Sequence, residues 1–177
     1  MAIMSGIALT VAHMSAVSSV PASAVGSPAL QRFAGFLRER QSSLVKDIEA
    51  EDGGAVFKAH PWERHAEDPR DGGAGCMSVL EEGEVWEKAG VGITVTGGKL
   101  TKARARAMSE RGACVHEGDR FAAAALSLVM HARSPRVPTF RADVRVFELY
   151  HDSDTTMWFG GGADLTPSYL NEVAPLP

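Results

Sequence analysis

Two stretches, FAAAALSLVM at residues 121–130 and ADVRVFELY at residues 142–150, decide the fold class of this chain. The first is apolar throughout except for Ser127, which is typical of a buried strand. The second alternates between apolar and polar side chains, which is typical of a strand with one buried face. We therefore predict a strand over each stretch.

Further short β-like runs precede these strands, and turn residues bound each of them. The runs are residues 76–80, 84–87 and 91–96, with turns at Glu82-Gly83 and Gly97-Gly98. Residues 60–75 contain two prolines and a glycine run, and this composition predicts a loop. Residues 157–159 indicate one more strand.

Two helices complete the predicted fold. Ser27-Pro28 has the residue types of an N-cap and a first helical position, and Gly53-Gly54 supplies a stop, which predicts a helix over 28–52. Its acidic end at residues 49, 51 and 52 lies where the helix dipole disfavours negative charge, so a local role is one interpretation, but a solvated end is expected. Thr101 caps a second predicted helix over 102–111. Many short strands with tight turns and two helices predict an antiparallel α+β domain rather than a doubly wound one.

The first 31 residues contain no Asp, Glu, Lys or Arg and are rich in Ala and Ser. One interpretation is a targeting leader that ends near the small residues Ala22-Ser23-Ala24, and the other is an unstructured start. We assign residues 1–27 to this segment and residues 28–177 to the folded domain. A leader predicts a plastid or a mitochondrion as the destination, and without one the cytoplasm is expected.

Composition excludes several classes of protein. The chain has 177 residues, of which 45% are hydrophobic and 23% charged, so global disorder is excluded. A net charge of -4 argues against a strongly basic nucleic-acid binder. Outside the N-terminus no apolar run reaches transmembrane length. The two cysteines lie far apart and form no CxxC, which excludes a disulfide framework and a thiolate zinc site.

The central strands also carry candidate functional side chains. Alternation places Ser127 and His131 on one face of the first strand, and Arg141, Asp143 and Arg145 on one face of the second. Four arginines lie between residues 133 and 145, and arginine captures carboxylates or phosphates through paired N–H groups. One interpretation is a pocket for a multiply anionic ligand, and the other is a set of solvated or ion-paired arginines.

His131 has three interpretations: a base, a metal ligand or a structural core histidine. The other five histidines, at positions 13, 60, 65, 116 and 151, are scattered, and none shows metal-ligand spacing.

The most unusual segment is WFGGGADLTP at residues 158–167. Three consecutive glycines permit positive φ angles and a close approach of backbone to ligand, and a turn at this point would present Asp164. The alternative is a β-bulge or hairpin turn with an aspartate cap. The run fits neither common phosphate-loop pattern.

This segment resembles the signature of the oxygen-dependent coproporphyrinogen III oxidase family. The resemblance extends over about residues 29–172 through EAEDGGAVF (49–57), GGAGCMSVL (72–80), VWEKAGVGITVTGGKL (85–100) and SLVMHARSPRVPT (127–139). It implies a large flat antiparallel sheet flanked by helices in a homodimer. The implied reaction converts two propionates of coproporphyrinogen III to vinyl groups with molecular oxygen, giving protoporphyrinogen IX, without metal or organic cofactor.

The resemblance also implies roles for single residues. Ser127 matches a serine that contacts substrate, and Arg145 matches the arginine that holds it. Asp164 matches an aspartate that faces the pyrrole N–H groups, with Gly161 and Gly162 of the same motif binding substrate. His131 matches a metal ligand proposed for bacterial members, and residues 91–100 match a segment linked to dimerisation.

The sequence departs from the family pattern at two site positions and in length. Arg141 stands at the position of the family's proton-donor histidine, and Asp143 at that of a substrate-binding asparagine. Arginine remains protonated at ordinary pH and cannot replace that acid or base. The chain also stops before the C-terminal part of the family pattern, so we expect a partial domain or a truncated gene product. The alternatives to an active enzyme are a catalytically impaired tetrapyrrole-binding or regulatory subunit and a general anion-binding module.

Overall fold

Six antiparallel strands form one sheet in which each strand pairs with the next along the chain. The computed structural model describes residues 25–110, 112, 114–151 and 154–169. The strands are β1 (Lys58–Arg64), β2 (Gly73–Glu81), β3 (Trp86–Lys99), β4 (Arg120–Ala132), β5 (Thr139–His151) and β6 (Asp154–Thr166). The helices are α1 (Pro28–Asp52) and α2 (Lys102–Ser109), and a 3-10 turn spans Pro69–Asp71. The described part of the chain contains no helix long and apolar enough to cross a membrane.

Helix α1 begins and ends at the residues that the sequence predicts. The Ser27 side chain accepts hydrogen bonds from the backbone N–H groups of Ala29 and Leu30. Gly53 ends the helix with a φ of 73°, in the left-handed region that favours glycine. The sequence assigns residues 1–27 to a leader or disordered segment. Of these, residues 25–27 are described by the structure, and Val25 is fully buried. Residues 1–24 lie outside the described part.

One face of the sheet, here called the helix face, is covered by α1. The helix presents a stripe of buried residues at intervals of three or four, which are Leu30, Ala34, Leu37, Gln41, Val45, Ile48 and Asp52. This stripe packs on buried side chains of β2 to β5 that alternate along each strand, among them Cys76, Val91, Ala124 and Val146. Burial of each large aliphatic side chain contributes about 1.5–3 kcal/mol.

The opposite face, here called the open face, is covered at one end only. There α2 and the loop after it pack Ala105 and Val115 against Phe121 and Leu149. The remainder of the open face carries the candidate functional side chains predicted from the sequence. The β4–β5 register pairs Ser127 with Asp143, so the candidates on the two strands lie on the same side of the sheet. The α+β prediction and the antiparallel sheet are thus confirmed.

Two buried carboxylates tie the helix face together. Asp52, 4% exposed, accepts hydrogen bonds from the backbone N–H groups of Ala55, Glu84, Val85 and Trp86, and so joins the end of α1 to the β2–β3 turn. These bonds, led by those from Trp86 and Ala55, hold the pKa of Asp52 well below its usual range although burial opposes them. The prediction of a solvated acidic helix end is therefore wrong at Asp52, because its side chain turns inward to accept these backbone hydrogen bonds.

Glu148 is the second buried carboxylate. It accepts hydrogen bonds from the Ser27 backbone N–H at 2.9 Å, from the Ser27 hydroxyl and from the Tyr150 hydroxyl. Burial and the bond to Glu148 raise the pKa of Tyr150 above its usual range. The start of α1 is thereby fixed to strand β5.

The structure corrects three local predictions. The predicted loop over 60–75 contains most of β1 and the start of β2, since Pro61 pairs with Cys76 in an antiparallel register. The runs at 84–87 and 91–96 belong mostly to one 14-residue strand, β3, that continues through the predicted turn at Gly97-Gly98. The glycine run at 160–162 lies inside β6 and makes no turn; of the described glycines, those with positive φ are Gly26, Gly53, Gly112 and Gly118.

Candidate functional site on the open face

The site residues lie in rows that cross the strands, because paired residues of antiparallel strands point to the same side of a sheet. In the central row Ser127 of β4 stands between Gly92 of β3 and Asp143 of β5, and Asp143 in turn pairs with Gly162 of β6. The row on one side contains Ala125, Arg145 and Gly160, and the row on the other contains Val129, Arg141 and Asp164. The three rows bring Ser127, Arg141, Asp143, Arg145 and Asp164 onto one surface.

The four charged side chains of this surface form two ion pairs. Arg141 donates from Nε and Nη2 to Oδ2 of Asp164, at 3.0 Å and 2.9 Å. Arg145 donates from Nη1 to Oδ2 of Asp143 at 2.7 Å. Arg141 and Asp143 are the two residues that depart from the pattern of the family that the sequence resembles. Each of them is paired with a residue that matches the pattern, Arg141 with Asp164 and Asp143 with Arg145. The surface has paired charges and no net charge from these four groups.

Both pairs remain accessible from solvent. The side chains of Arg145 and Asp143 are 57% and 35% exposed, and those of Arg141 and Asp164 are 68% and 45% exposed. The bond to Asp143 uses one of the five N–H donors of Arg145. Oδ1 of Asp164 accepts a hydrogen bond from the Thr166 hydroxyl at 3.3 Å. A carboxylate oxygen has two lone pairs, so Oδ1 can accept a second hydrogen bond. The arrangement can therefore bind an acid through arginine and an N–H group through aspartate.

Small residues form the floor between these charges. A Cβ added to Gly162 would meet no atom within 4 Å, whereas one added to Gly160 would lie 3.4 Å from Nε of Arg145. A Cβ on Gly92 would lie 2.6 Å from Cε of Met77 and 3.7 Å from Oγ of Ser127. At Gly162 no side chain stands above the backbone, so this part of β6 is open to close approach by a flat or bulky ligand, whereas Met77 covers Gly92.

Different side chains border the floor at its two ends. Towards α2 the border is apolar: the ring of Phe147 stacks on Phe121 at 5.4 Å and lies 4.8 Å from the ring of Trp158. At the other end His131 is exposed, and its Nδ1 lies 3.1 Å from the Thr139 hydroxyl. His131 also borders a depression of about 630 Å³, whose other lining residues are Lys58, Glu81, Glu82, Glu87 and Lys88.

The geometry corrects one site prediction and distinguishes the two glycines of another. Asp164 is presented by an extended strand and not by a glycine turn, because β6 continues to Thr166. Gly161 points to the helix face, where a Cβ would lie 2.6 Å from the carbonyl oxygen of Asp143, so Gly162 is the member of the pair that opens onto the site. Alternation along a strand could have separated the two glycines, had the run been assigned to a strand.

The segment at 91–100, predicted to mediate dimerisation, lies in the middle of the sheet. Residues 91–96 are paired with β2 on one side, residues 91–99 are paired with β4 on the other, and Val91, Ile93 and Val95 are buried under α1. The segment cannot therefore extend the sheet into a second subunit. Any contact it makes with a partner has to use its open-face residues.

Sequence reasoning missed a group of ligand-type side chains at the far end of the sheet. His116, Asp119 and His151 converge there. Among the described residues, these three His and Asp side chains are close enough together to hold one metal ion. His131, proposed as a metal ligand from the resemblance, does not belong to it. The sequence separation of 32 residues between Asp119 and His151 gave no spacing signal.

Fold and site together define the class of this protein: an antiparallel α+β protein that presents paired arginines and carboxylates above a glycine floor. Comparison with known proteins then gives the family. The family model described as coproporphyrinogen III oxidase matches residues 32–174. The chain therefore belongs to the coproporphyrinogen III oxidase family.

Individual relatives agree with the family match. The chain is 39% identical over 141 residues to the mitochondrial oxygen-dependent coproporphyrinogen-III oxidase of Homo sapiens, covering 77% of this chain and 30% of that protein. It is 41% identical over 141 residues to the Drosophila melanogaster enzyme, covering 77% and 35%. It is 39% identical over 147 residues to the chloroplastic enzyme of Glycine max, covering 80% and 37%. The chain thus spans about a third of the length of these relatives.

Proposed function

We propose that this chain carries the central substrate-binding surface of an oxygen-dependent coproporphyrinogen III oxidase. The observation that carries the proposal is that the family match over residues 32–174 includes the whole open face, with Ser127, Arg145 and Asp164 on one surface. The substrate has four carboxylates around a ring of four pyrroles, so it needs cationic groups at its rim and an acceptor for N–H groups at its centre. Arginine and aspartate supply these two kinds of group.

The proposed reaction balances with dioxygen as the oxidant. Each propionate anion that becomes a vinyl group loses carbon dioxide, one proton and two electrons. Two such conversions deliver four electrons and two protons, and with two further protons from solvent these reduce one O₂ to two water molecules. No further redox cofactor is required by this balance, and we propose that O₂ is the co-substrate and that the chain uses no metal or organic cofactor in this reaction.

Separate roles follow for the residues of the open face. In the proposal Arg145 holds a substrate carboxylate through N–H groups that the bond to Asp143 does not use. Asp164 accepts pyrrole N–H groups through Oδ1, which withdraws proton density from the ring and makes it more easily oxidised. Ser127 and Gly162 lie between them, where the floor admits the macrocycle. The protein then acts mainly by positioning and by excluding water.

The proposal extends to assembly and location. We propose a homodimer in which the open-face residues of the segment at 91–100 contribute contacts, since the edges of that strand are already paired. The relatives are named as mitochondrial in Homo sapiens and chloroplastic in Glycine max. We propose that this chain acts in an organelle of one of these kinds, and the charge-free N-terminal residues fit a leader.

The two ion pairs favour a second candidate function, a tetrapyrrole-binding subunit without turnover. Arg141 occupies Oδ2 of Asp164, and Asp143 occupies Nη1 of Arg145, so both groups that the reaction needs are already paired. Arg141 also cannot donate and recover a proton as a histidine would. Such a site would retain affinity for the anionic macrocycle while its chemistry is impaired.

One experiment separates these candidates. The full chain is dialysed to equilibrium with coproporphyrinogen III under nitrogen, and bound ligand is quantified by fluorescence after oxidation. The same mixture is then exposed to air and assayed for protoporphyrin. Binding with product in the wild type, and loss of product in Asp164→Ala, supports the enzyme. Binding without product supports the second candidate.

Variants at the rim test the surface itself. Arg145→Ala is expected to weaken binding. Arg106→Ala, an exposed arginine of α2 paired with Glu110, is the matched control and is expected to bind as the wild type does. If the folded wild-type chain neither binds coproporphyrinogen III nor forms product, both candidates are wrong.

A further inference from the structure

Three potential ligand side chains meet at the end of the sheet covered by α2. His116 and Asp119 lie in the loop before β4, and His151 is the last residue of β5. The register pairs Arg120 with Tyr150, which brings Asp119 beside His151 although they are 32 residues apart in sequence. We propose that His116, Asp119 and His151 form a binding site for a divalent transition-metal ion, with zinc as the preferred ion.

The distances between the ligand atoms suit one ion. Oδ2 of Asp119 lies 3.0 Å from Nδ1 of His151 and 3.9 Å from Nδ1 of His116. All three side chains have a ligand atom within 4.8 Å of each of the others. In a tetrahedral zinc site with bonds of about 2.0–2.1 Å, neighbouring ligand atoms are about 3.3–3.4 Å apart. The two distances to Asp119 bracket this value, and the two imidazole nitrogens lie within 4.8 Å of each other, so binding one ion requires the exposed His116 ring to rotate toward it.

The loop holds its ligands in place without an ion. The His116 backbone N–H donates to Oδ2 of Asp119 at 2.7 Å, which fixes the carboxylate. The Leu100 backbone N–H donates to the Asp119 carbonyl at 2.8 Å, and the Gly118 N–H donates to the Leu100 carbonyl at 2.9 Å. Gly118 has a φ of 89°, which few other residues adopt readily, and it turns the chain between the two ligands. The backbone and the carboxylate are therefore ordered before an ion binds, and the exposed His116 ring is the part that has to move.

The alternative is a simple hydrogen bond between His151 and Asp119. That bond needs one imidazole, yet a second ring lies against the first: His116 and His151 are stacked with centroids 4.8 Å apart and planes at 27°. Nδ1 of each ring lies within 3.9 Å of the same carboxylate oxygen, Oδ2 of Asp119. An oxygen that accepts one backbone N–H retains a lone pair for a metal ion.

The donor set indicates the kind of ion. Two imidazole nitrogens and one carboxylate oxygen suit zinc, cobalt, nickel or copper better than magnesium or calcium, which prefer oxygen ligands. Three protein ligands leave a fourth position for water in a tetrahedral site. His116 is 65% exposed and His151 is 33% exposed at the side chain, so an ion can enter from solvent.

The site is separate from the charged surface of the open face. His151 follows Arg145 by six residues along β5, which corresponds to about 20 Å. An ion bound there would join the loop before β4 to the end of β5 and stabilise that end of the sheet. At a free zinc concentration about 100-fold above Kd, linkage predicts a rise in the thermal midpoint of about 5–10 °C.

The test uses the full chain without an affinity tag. Zinc binding is measured by calorimetry, and Co²⁺ is added as a spectroscopic probe whose visible absorption reports nitrogen ligation. We expect one equivalent of either ion to bind tightly, with a rise in the thermal midpoint. His116→Ala and His151→Ala should each lose at least tenfold in affinity and most of the Co²⁺ absorption.

His65→Ala is the matched control, because this histidine is 83% exposed at the side chain and lies outside the cluster. It should bind as the wild type does. His116→Ala is the decisive variant, because it removes an exposed ring from a loop and should leave the fold intact. Circular dichroism verifies that the variant is folded. The proposal is overturned if the wild type binds no stoichiometric ion, or if His116→Ala and His65→Ala bind zinc equally well.

Discussion

Releasing Arg145 from its partner should tighten the binding of an anionic ligand. Asp143→Asn removes the charge of Asp143 and keeps the shape of the side chain. At 2.7 Å the pair gains roughly 1.5 kcal/mol in bulk-water dielectric, before the entropy of holding two side chains is subtracted. Measured exposed pairs contribute about 0.2–1 kcal/mol. If a ligand carboxylate has to displace Asp143, the variant should bind coproporphyrinogen III about 1.4- to 5-fold more tightly.

The assay compares dissociation constants by equilibrium dialysis under nitrogen at low and high salt. The gain should shrink at 0.5 M NaCl, because added salt screens exposed charges. Glu39→Gln is the control, since it makes the same change of net charge on an exposed residue of α1. This control should bind as the wild type does.

The reasoning would be refuted by a folded Asp143→Asn protein that binds the ligand no more tightly than the wild type. That result would mean that Arg145 already reaches the ligand without losing Asp143, or that it does not contact the ligand. An equal gain in Glu39→Gln would refute the local explanation as well, because it would assign the effect to net charge alone.

Two further predictions concern the helix face. Gln41→Ala should destabilise the protein by about 2–5 kcal/mol in urea unfolding, because Nε2 of Gln41 donates to the buried carbonyls of Cys76 and Val91 at 2.9 Å each; Glu39→Ala on the same helix should cost less than about 0.5 kcal/mol. Asp52 has a folded-state pKa below its unfolded value of about 3.9, so its contribution is present above pH 4 and is lost as the pH falls below that value. Asp52→Asn should therefore be less stable at pH 7 and lose less stability between pH 4 and pH 2 than the wild type in thermal unfolding; an identical slope for both proteins would contradict this.

Local signals in the sequence predicted the parts of the fold that depend on neighbouring residues. Ser27 and Gly53 bound α1 as predicted, because caps act through the adjacent backbone. Alternation placed Arg141, Asp143 and Arg145 correctly on one face of their strand, because a strand has a period of two residues, whereas the pairing of Ser127 with Asp143 came from the register.

The errors lie where partners distant in sequence decide the structure. Pro61 and the glycine run at 160–162 have low β propensity, and they are extended because β2 and β5 supply the neighbouring backbones. The hydrogen bonds between Asp52 and the β2–β3 turn span 32 or more residues, and the contact of Asp119 with His151 spans 32. Local sequence spacing reveals neither. The ion pair of Arg141 with Asp164 likewise needed the strand register, because the two residues are 23 positions apart, whereas Asp143 and Arg145 are neighbours on one face of a single strand.

A pair of glycine substitutions can separate stability from binding on the same strand. A Cβ at Gly161 would lie 2.6 Å from the Asp143 carbonyl oxygen, so Gly161→Ala should force the backbone apart and destabilise the protein by about 1–3 kcal/mol. A Cβ at Gly162 would meet no atom within 4 Å, so Gly162→Ala should change stability by less than about 1 kcal/mol. Its methyl group would nevertheless stand on the open face beside Asp143, where a macrocycle is proposed to lie, and should weaken the binding of coproporphyrinogen III by about tenfold or more. Urea unfolding and anaerobic dialysis measure the two effects independently. A stable Gly162→Ala protein with wild-type affinity would show that the ligand does not contact this floor, because a methyl group in the centre of a contact surface cannot be accommodated without displacing what rests on it.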